Sequence, residues 1–488
     1  MEPIYLAIVI ILAILAVSDL VVGVSNDAVN FLNSAIGSRA ASRRTIMWVA
    51  TLGIMVGVLT SSGMMEVARN GIFHPGMFQF SDIMLLFLAV MLTDVILLDV
   101  FNTLGLPTST TVSLVFELLG AAMCIALFNI ADDPAHTIAN LNDYINTGRT
   151  LGIISGILTS VVIAFVCGSV IMYITRLIFS YKFNNKLKSM GAVWCGIALT
   201  AITYFALFKG LKGTPLIPDG IMDYINSNIW VCVAIAFVFW SLLMSLLACL
   251  KVNILRITVL SGTFALALAF AGNDLVNFIG VFMAGYDSYN IAIANGADTG
   301  MLMGALNEPV HANIFMLAAS GVIMAVTLWV SKKARRVTDT EVNLAKQDAG
   351  DERFDSTSVS RALVRQSLKL NKAISNILPK KTLEYINSRF QMPPRPKDAP
   401  SFDLIRATVN LTVASLLISL ATSLKLPLST TYVTFMVAMG SSLADRAWGR
   451  ESAVYRITGV MTVILGWFVT AFVAFLIAFV VAAALFKG

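Results

Sequence analysis

Apolar residues run through this chain in stretches close to the thickness of a bilayer. They fall near 4–24, 45–65, 83–101, 109–128, 150–175, 190–208, 229–250, 257–284, 312–331, 404–424, 429–444 and 456–486. About 20 apolar residues in a helix cross the hydrocarbon core. The pattern therefore predicts an all-α integral membrane protein with about 12 hydrophobic segments. Two polar motifs interrupt the apolar pattern, and each occurs twice. Ser25-Asn26-Asp27-Ala28-Val29-Asn30-Phe31 returns as Gly272-Asn273-Asp274-Leu275-Val276-Asn277-Phe278, 247 residues later. Leu106-Pro107-Thr108-Ser109-Thr110-Thr111 returns as Leu426-Pro427-Leu428-Ser429-Thr430-Thr431, with Gly120 and Gly440 at the same offset beyond. Ionisable groups at membrane depth are costly and mark function, so a duplicated pair predicts a site built from two halves.

The flanking charges assign orientation. Placing Arg39, Arg43 and Arg44 inside and alternating from there puts 28 basic residues inside and 6 outside. The positive-inside rule then predicts a multi-pass cell-membrane protein with both termini extracytoplasmic. The segment with Asp27 runs inward and the one with Asp274 outward, which predicts two inverted-topology repeats. From Asp27 to Ser109 is 82 residues and from Asp274 to Ser429 is 155. The excess matches the 72-residue polar stretch 331–402, an insertion in the second repeat. The predicted organisation is a first repeat over 1–128, connecting transmembrane helices over 129–256, a second repeat over 257–330 and 403–488, and a cytoplasmic basic loop over 331–402. Inverted repeats with broken or re-entrant helices meeting at the substrate site are the architecture of secondary transporters. Within the loop, Leu363, Leu370, Ile374 and Ile377 keep helical spacing, which fits a helix on the inner leaflet or an ordinary solvated helix.

Composition agrees. The chain is 57% apolar and 13% charged, against about 25% charged in soluble domains. Its net charge of +6 is local: 331–402 holds 15 Lys and Arg against 8 Asp and Glu, and the remainder 19 against 20. The basic balance therefore reflects one loop and does not point to nucleic acid. The five cysteines have no paired spacing, so they predict no disulfide framework and no zinc site. Met1-Glu2-Pro3 lacks the basic region of a secretory signal, so the first apolar run is predicted to be retained.

Each motif has a chemistry. Proline suits a first helical turn and hydroxyl residues suit a cap. A helix start also offers unpaired N–H groups and partial positive charge. Ser109, Thr110, Thr111, Ser429, Thr430 and Thr431 thus form a donor-rich cradle for a tetrahedral oxyanion, joined by Asn26 and Asn273. Asp27, Asn30, Asp274 and Asn277 supply oxygen ligands for a hard cation such as Na⁺ or a site for H⁺, with Gly23 and Gly272 expected to ease a helix break that frees carbonyls. A cation also offsets the repulsion between two carboxylates and an incoming dianion, a physical reason for symport. Asp19, Asp94, Asp99 and Glu117 are further intramembrane acids, without acidic counterparts in the other half. Asn102 and Asn410 lead into the Ser-Thr-Thr turns. Glu66, His74, His136, Glu308 and His311 fall at outer ends and are expected to be structural. Gly53 and Gly57 form a small-residue face for a helix or a second copy.

These four motifs, in this order and in inverted halves split by a polar loop, resemble the inorganic phosphate transporter (Pit) family, whose best-known members are sodium–phosphate symporters. The resemblance implies secondary transport of phosphate through a shared site, commonly in a homodimer, with Na⁺ or H⁺ as coupling ion and no other cofactor. It falls on Asn26, Asp27, Asn30, Ser109, Thr110, Thr111, Asn273, Asp274, Asn277, Ser429, Thr430 and Thr431. The chain departs from the family in having Val112 and Tyr432 where His is usual after Ser-Thr-Thr, and Phe31 and Phe278 after the Asn-Asp core. The expectation is a phosphate importer driven by Na⁺ rather than H⁺. The alternatives are a sulfate or other oxyanion permease and, further off, a membrane-embedded hydrolase. His-Glu-x-x-His, Gly-x-x-x-x-Gly-Lys and Gly-x-Ser-x-Gly are all missing from the sequence.

Overall fold

A helix lies in each of the twelve apolar runs of the computed structural model. The structure describes residues 3–104, 108–132, 137–205, 219–296, 298–308, 312–344, 379–391, 396, 398–446 and 450–487, with 361–362, 365–366 and 369. The helices that matter below are α1 (Pro3–Gly37), α2 (Arg43–Gly57), α3 (Phe80–Leu104), α4 (Thr110–Asp132), α5 (Thr147–Ile178), α6 (Asn184–Ile202), α7 (Ile229–Cys249), α8 (Ile254–Ala294), α9 (Ile314–Val330), α10 (Lys333–Leu344), α11 (Lys380–Arg389), α12 (Leu404–Ser423), α13 (Thr430–Ala444) and α14 (Arg450–Lys487). Among the described residues, nine helices are long and apolar enough to span a membrane, or ten if α9 and the start of α10, bent by 69°, count as one. The shortfall from twelve has local causes. Lys186 and Lys188 sit in the first turns of α6, and α13 has only 15 residues, about 22 Å of helix. Leu363, Leu370, Ile374, Ile377, His136 and His311 lie outside the described residues, as do Leu106 and Pro107.

α1 and α8 form the centre of the bundle. Phe31 meets Phe270 at 5.1 Å between ring centres, Gly23 lies under the Phe278 ring, and Leu12 reaches Gly285. Position rises along one helix as it falls along the other, so the two run antiparallel. The expected break at Gly23 and Gly272 does not occur, because both helices are continuous. Their glycines instead permit close approach: a Cβ on Gly272 would stand 2.6 Å from Thr60 Oγ1. The interruption falls at the other motif. α3 ends at Leu104 and α4 starts at Thr110; α12 ends at Ser423 and α13 starts at Thr430. Gly53 and Gly57 face the α8 backbone, with a Cβ on Gly53 only 2.5 Å from Phe264 O. That face packs helix on helix within the chain.

The short helices each lie along a long one. α4 follows α14, with Gly120 against the backbone of Phe475 and Phe128 stacked on Phe486 at 5.1 Å. α13 follows α5, with Gly440 against the backbone of Phe165. At the far end of α13 a buried ion cluster closes the bundle. Arg176 grips Asp445 through Nε at 2.6 Å and Nη2 at 3.0 Å, and Asp403 through Nη1 at 2.9 Å. Burial pushes the Asp403 carboxyl up, but Arg176 more than cancels this and holds it below the usual carboxylate range. Burial dominates at Asp445, which is pushed up. The described cysteines are free, and Cys124 and Cys195 are buried while Cys249 is exposed on the apolar surface.

Two outcomes test this packing. Gly440→Val should lower stability by roughly 1–3 kcal/mol through overpacking against α5, read as a lower Tm at unchanged pH. The Asp403–Arg176 pair should stabilise fully at neutral pH and fail only as pH drops below about 4, through the depressed folded-state value. Asp403→Asn should therefore flatten the acid limb of a stability–pH curve and leave its alkaline limb alone.

Candidate functional site

The N-terminal turns of α4 and α13 start beside the middle of α1 and α8 and leave in opposite directions. The last turns of α4 lie where Lys487, at one end of α14, stands 5.2 Å over the Phe128 ring, and α13 is capped at Asp445, five residues before α14 begins at its other end. Sequence chemistry dictates the local form. Ser109 and Ser429 accept hydrogen bonds from the Val112 and Tyr432 N–H groups, both at 3.1 Å, and so cap their helices. Each keeps its own hydroxyl proton for another acceptor. Partial positive charge at both helix starts then points at Asp27 and Asp274, which are both fully buried.

The hydrogen bonds cross between the halves. Asp27 receives Thr110 Oγ1 at 2.9 Å from α4 and Thr431 Oγ1 at 3.1 Å from α13. Asp274 receives Thr430 from α13 and Thr111 Oγ1 at 3.5 Å from α4. Asn30 donates to Thr430 Oγ1 and Thr431 Oγ1 at 3.2 and 3.0 Å. Asn277 donates to Thr110 Oγ1 and Thr111 Oγ1 at 3.1 and 2.9 Å. Each asparagine thus holds both threonines of the opposite half, and each aspartate takes one threonine from each half.

Asn26 and Asn273 fasten the turns. Asn26 accepts from the Thr108 N–H at 3.0 Å and donates to Asn102 Oδ1 at 2.9 Å. Asn273 donates to Leu428 O at 2.8 Å and to Asp274 Oδ1 at 2.6 Å, and accepts from Thr422 Oγ1 at 3.3 Å. All twelve motif residues named from sequence therefore meet in one buried cluster or cap its edges. Asn102 also meets them. Asn410 does not: it bonds Ser34 and Ser441 at 3.4 and 2.5 Å. The residue that matches Asn102 is Thr422, 320 positions later, the same offset that separates Ser109 from Ser429. That offset was the available signal. Thr434, which donates to Asn30 Oδ1 at 3.2 Å, carried none.

The other acids separate. Asp19, Asp94 and Glu117 gather where α1, α3 and α4 meet, with Ser113 donating to Glu117 at 2.6 Å. Asp99 instead lies half-exposed against Lys333 at 2.5 Å. Glu66 pairs with Lys425 at 3.3 Å. Val112 and Tyr432 turn away into an apolar cleft, where Tyr432 stacks on Trp467 at 3.8 Å.

In chemical terms, the cluster offers hydroxyl and amide donors for an oxyanion. It also offers two carboxylates and Asn277 Oδ1, which has no hydrogen-bond partner, for a hard cation. No group of three or more His, Cys, Asp or Glu among the described residues fits a metal ion, and Na⁺ does not require one, since mixed carboxylate, amide and hydroxyl oxygens suit it.

Residues 23–340 match the phosphate transporter family, a span that takes in both Asn-Asp helices and the first Ser-Thr-Thr turn. The chain belongs to that family. It is a phosphate transporter and a multi-pass membrane protein, not an enzyme. Over 335 residues it is 24% identical to a candidate phosphate permease of Thermococcus kodakarensis, covering 65% of this chain and 75% of that one. Its fold matches a solved sodium-dependent phosphate transporter with a TM-score of 0.67 at 15% identity, over 99% of this chain and 98% of that one.

Capping and ligation can be told apart. Ser109→Ala and Ser429→Ala should each lower stability by about 1 kcal/mol through loss of the cap. Thr110→Val and Thr430→Val keep the shape and delete a hydroxyl. They should lower phosphate uptake several-fold more than they lower Tm, and equal effects in both assays would remove the threonines from the site.

Proposed function

We propose that this transporter imports inorganic phosphate by cation symport, with Na⁺ preferred to H⁺, through a site shared by two inverted repeats. The observation that carries the reading is the crossed network, in which Thr110 and Thr431 converge on Asp27 while Thr111 and Thr430 converge on Asp274. Such a network moves both halves together if either one moves. The antiparallel run of α1 and α8 supports the inversion. So does the matched packing of α4 on α14 and α13 on α5, which brings α5 into the first repeat as the partner of α14. Both termini then lie outside and 331–402 inside, and a homodimer is the proposed assembly.

Electrostatics gives the order of events. Two carboxylates near a dianion repel it by roughly 4 kcal/mol per pair of charges at about 4 Å, taking an effective dielectric of about 20. Cation binding at Asp27, Asn30, Asp274 and Asn277 removes that barrier. Thr110, Thr111, Thr430 and Thr431 then turn their protons from the carboxylates to phosphate oxygens, with Ser109, Ser429, Asn26 and Asn273 holding the turns around it. A phosphate that keeps a proton can donate to a carboxylate, whereas sulfate has none to give. An unmatched buried acceptor costs about 1–3 kcal/mol, roughly a ten- to hundredfold preference for phosphate.

Purified protein in liposomes, with Na⁺ and pH gradients imposed separately, tests this. Labelled phosphate should accumulate with the Na⁺ gradient, arsenate should compete well, and sulfate poorly. Equal competition by sulfate would move the assignment to a sulfate permease, and uptake following only the pH gradient would assign H⁺. Asp27→Asn and Asp274→Asn should each weaken the dependence on the ion more than they change Tm. An unchanged ion dependence in both would make the aspartates a structural knot.

A further inference from the structure

Beyond Asn277, between Gly280 and Asp287, α8 borders a cavity of about 190 Å³. Gly280, Tyr286 and Asp287 line it from α8, Asn313 from the start of α9, and Arg69 from the π turn Val67–Gly71. Arg69 is only 3% exposed. Its Nε stands 3.8 Å from Asp287 Oδ2, and neither Nε nor Nη2 finds a hydrogen-bond acceptor. A buried cation with unused donors is expensive. The other basic residues described near this end are engaged: Lys425 with Glu66 at 3.3 Å, Arg149 with Asn70 at 2.9 Å. The N-terminus of α9 adds partial positive charge beside the same cavity. Asn313 uses its Oδ1 to accept from the Phe315 N–H at 2.9 Å, which leaves its amide protons for a ligand.

We propose that this cavity is a separate binding station for a tetrahedral oxyanion, phosphate above all, on the path between the Arg69 face and the central site. The proposal rests on the transport reading. A guanidinium presents paired N–H donors in a fixed fork suited to an oxyanion, and the two donors without acceptors here are neighbours on that fork. Asp287 is close enough to hold the guanidinium in place and too far to saturate it. An arriving anion therefore completes the donor set without first breaking a tight pair. Asp287 lies ten residues beyond Asn277, so the anion has about 15 Å to travel along α8 before it meets Asn277. No bond to phosphorus changes; the station only captures and releases the ion.

The test has two arms on the full chain. In cells, Arg69→Gln, and Arg69→Gln combined with Asp287→Asn so that no lone buried acid remains, should each raise the phosphate concentration for half-maximal uptake about tenfold or more. The maximal rate should change little. In purified protein with its own cysteines replaced by alanine, Asn313→Cys should react with a soluble thiol reagent, and phosphate should slow the reaction. That protection should vanish with Arg69→Gln and persist with Thr110→Val and Thr430→Val, which disable only the central site. A folded double variant with wild-type half-saturation, or labelling indifferent to phosphate, would overturn the station. If the chain took up no phosphate at all, the labelling arm would still report binding at Arg69, so failure of the transport reading and failure of this one stay distinct.

Discussion

Two carboxylates, Asp27 and Asp274, lie wholly buried in the middle of a membrane bundle, with threonine hydroxyls and a neighbouring amide as their hydrogen-bond donors. That is the constraint the rest of the structure answers to. Each needs donors, and the chain supplies them from helix starts, where hydroxyls and dipole act together. α4 and α13 must therefore begin at membrane depth. A helix start inside the bilayer is tolerable only where protein surrounds it, which is why α1, α8, α5 and α14 wrap the two turns so closely.

Close wrapping in turn dictates where glycine is needed. Gly120 and Gly440 bring the backbone of one helix against that of its neighbour, and Gly53 and Gly57 do the same between α2 and α8. Rigid packing of this kind moves as bodies rather than as single side chains. The crossed threonines tie the starts of α4 and α13 to α1 and α8 at a buried site, while Arg176, Asp403 and Asp445 tie the bundle at the far end of α13. Under the proposed transport, access to the centre exchanges one set of ties for another, as alternating access about a fixed site requires.

Much of the buried cluster was legible because its signal was duplication. Asn-Asp-x-x-Asn and Ser-Thr-Thr recur in the same order, and polar residues in apolar runs have few explanations besides function. The same reasoning failed where it relied on glycine alone. Gly23 and Gly272 read as helix breakers, yet they lie in unbroken helices where Phe278 and Thr60 pack against them. Asn410 drew notice because its helix leads into the second turn, but it bonds Ser34 and Ser441, whereas the offset already pointed to Thr422, which meets Asn273.

The sequence by itself determined that this is a helical membrane protein with two polar motifs that each occur twice, because hydropathy and charge act locally and survive without coordinates. It also named the donors and acceptors. It did not say which donor meets which acceptor. That Thr110 and Thr431 share Asp27 while Thr111 and Thr430 share Asp274 follows from the antiparallel run of α1 and α8 and the opposed starts of α4 and α13. Nor did it set Arg69 apart from any other outer basic residue. Only packing decided that its guanidinium would be buried with donors to spare, because burial and hydrogen-bond partners are properties of residues far apart in the chain.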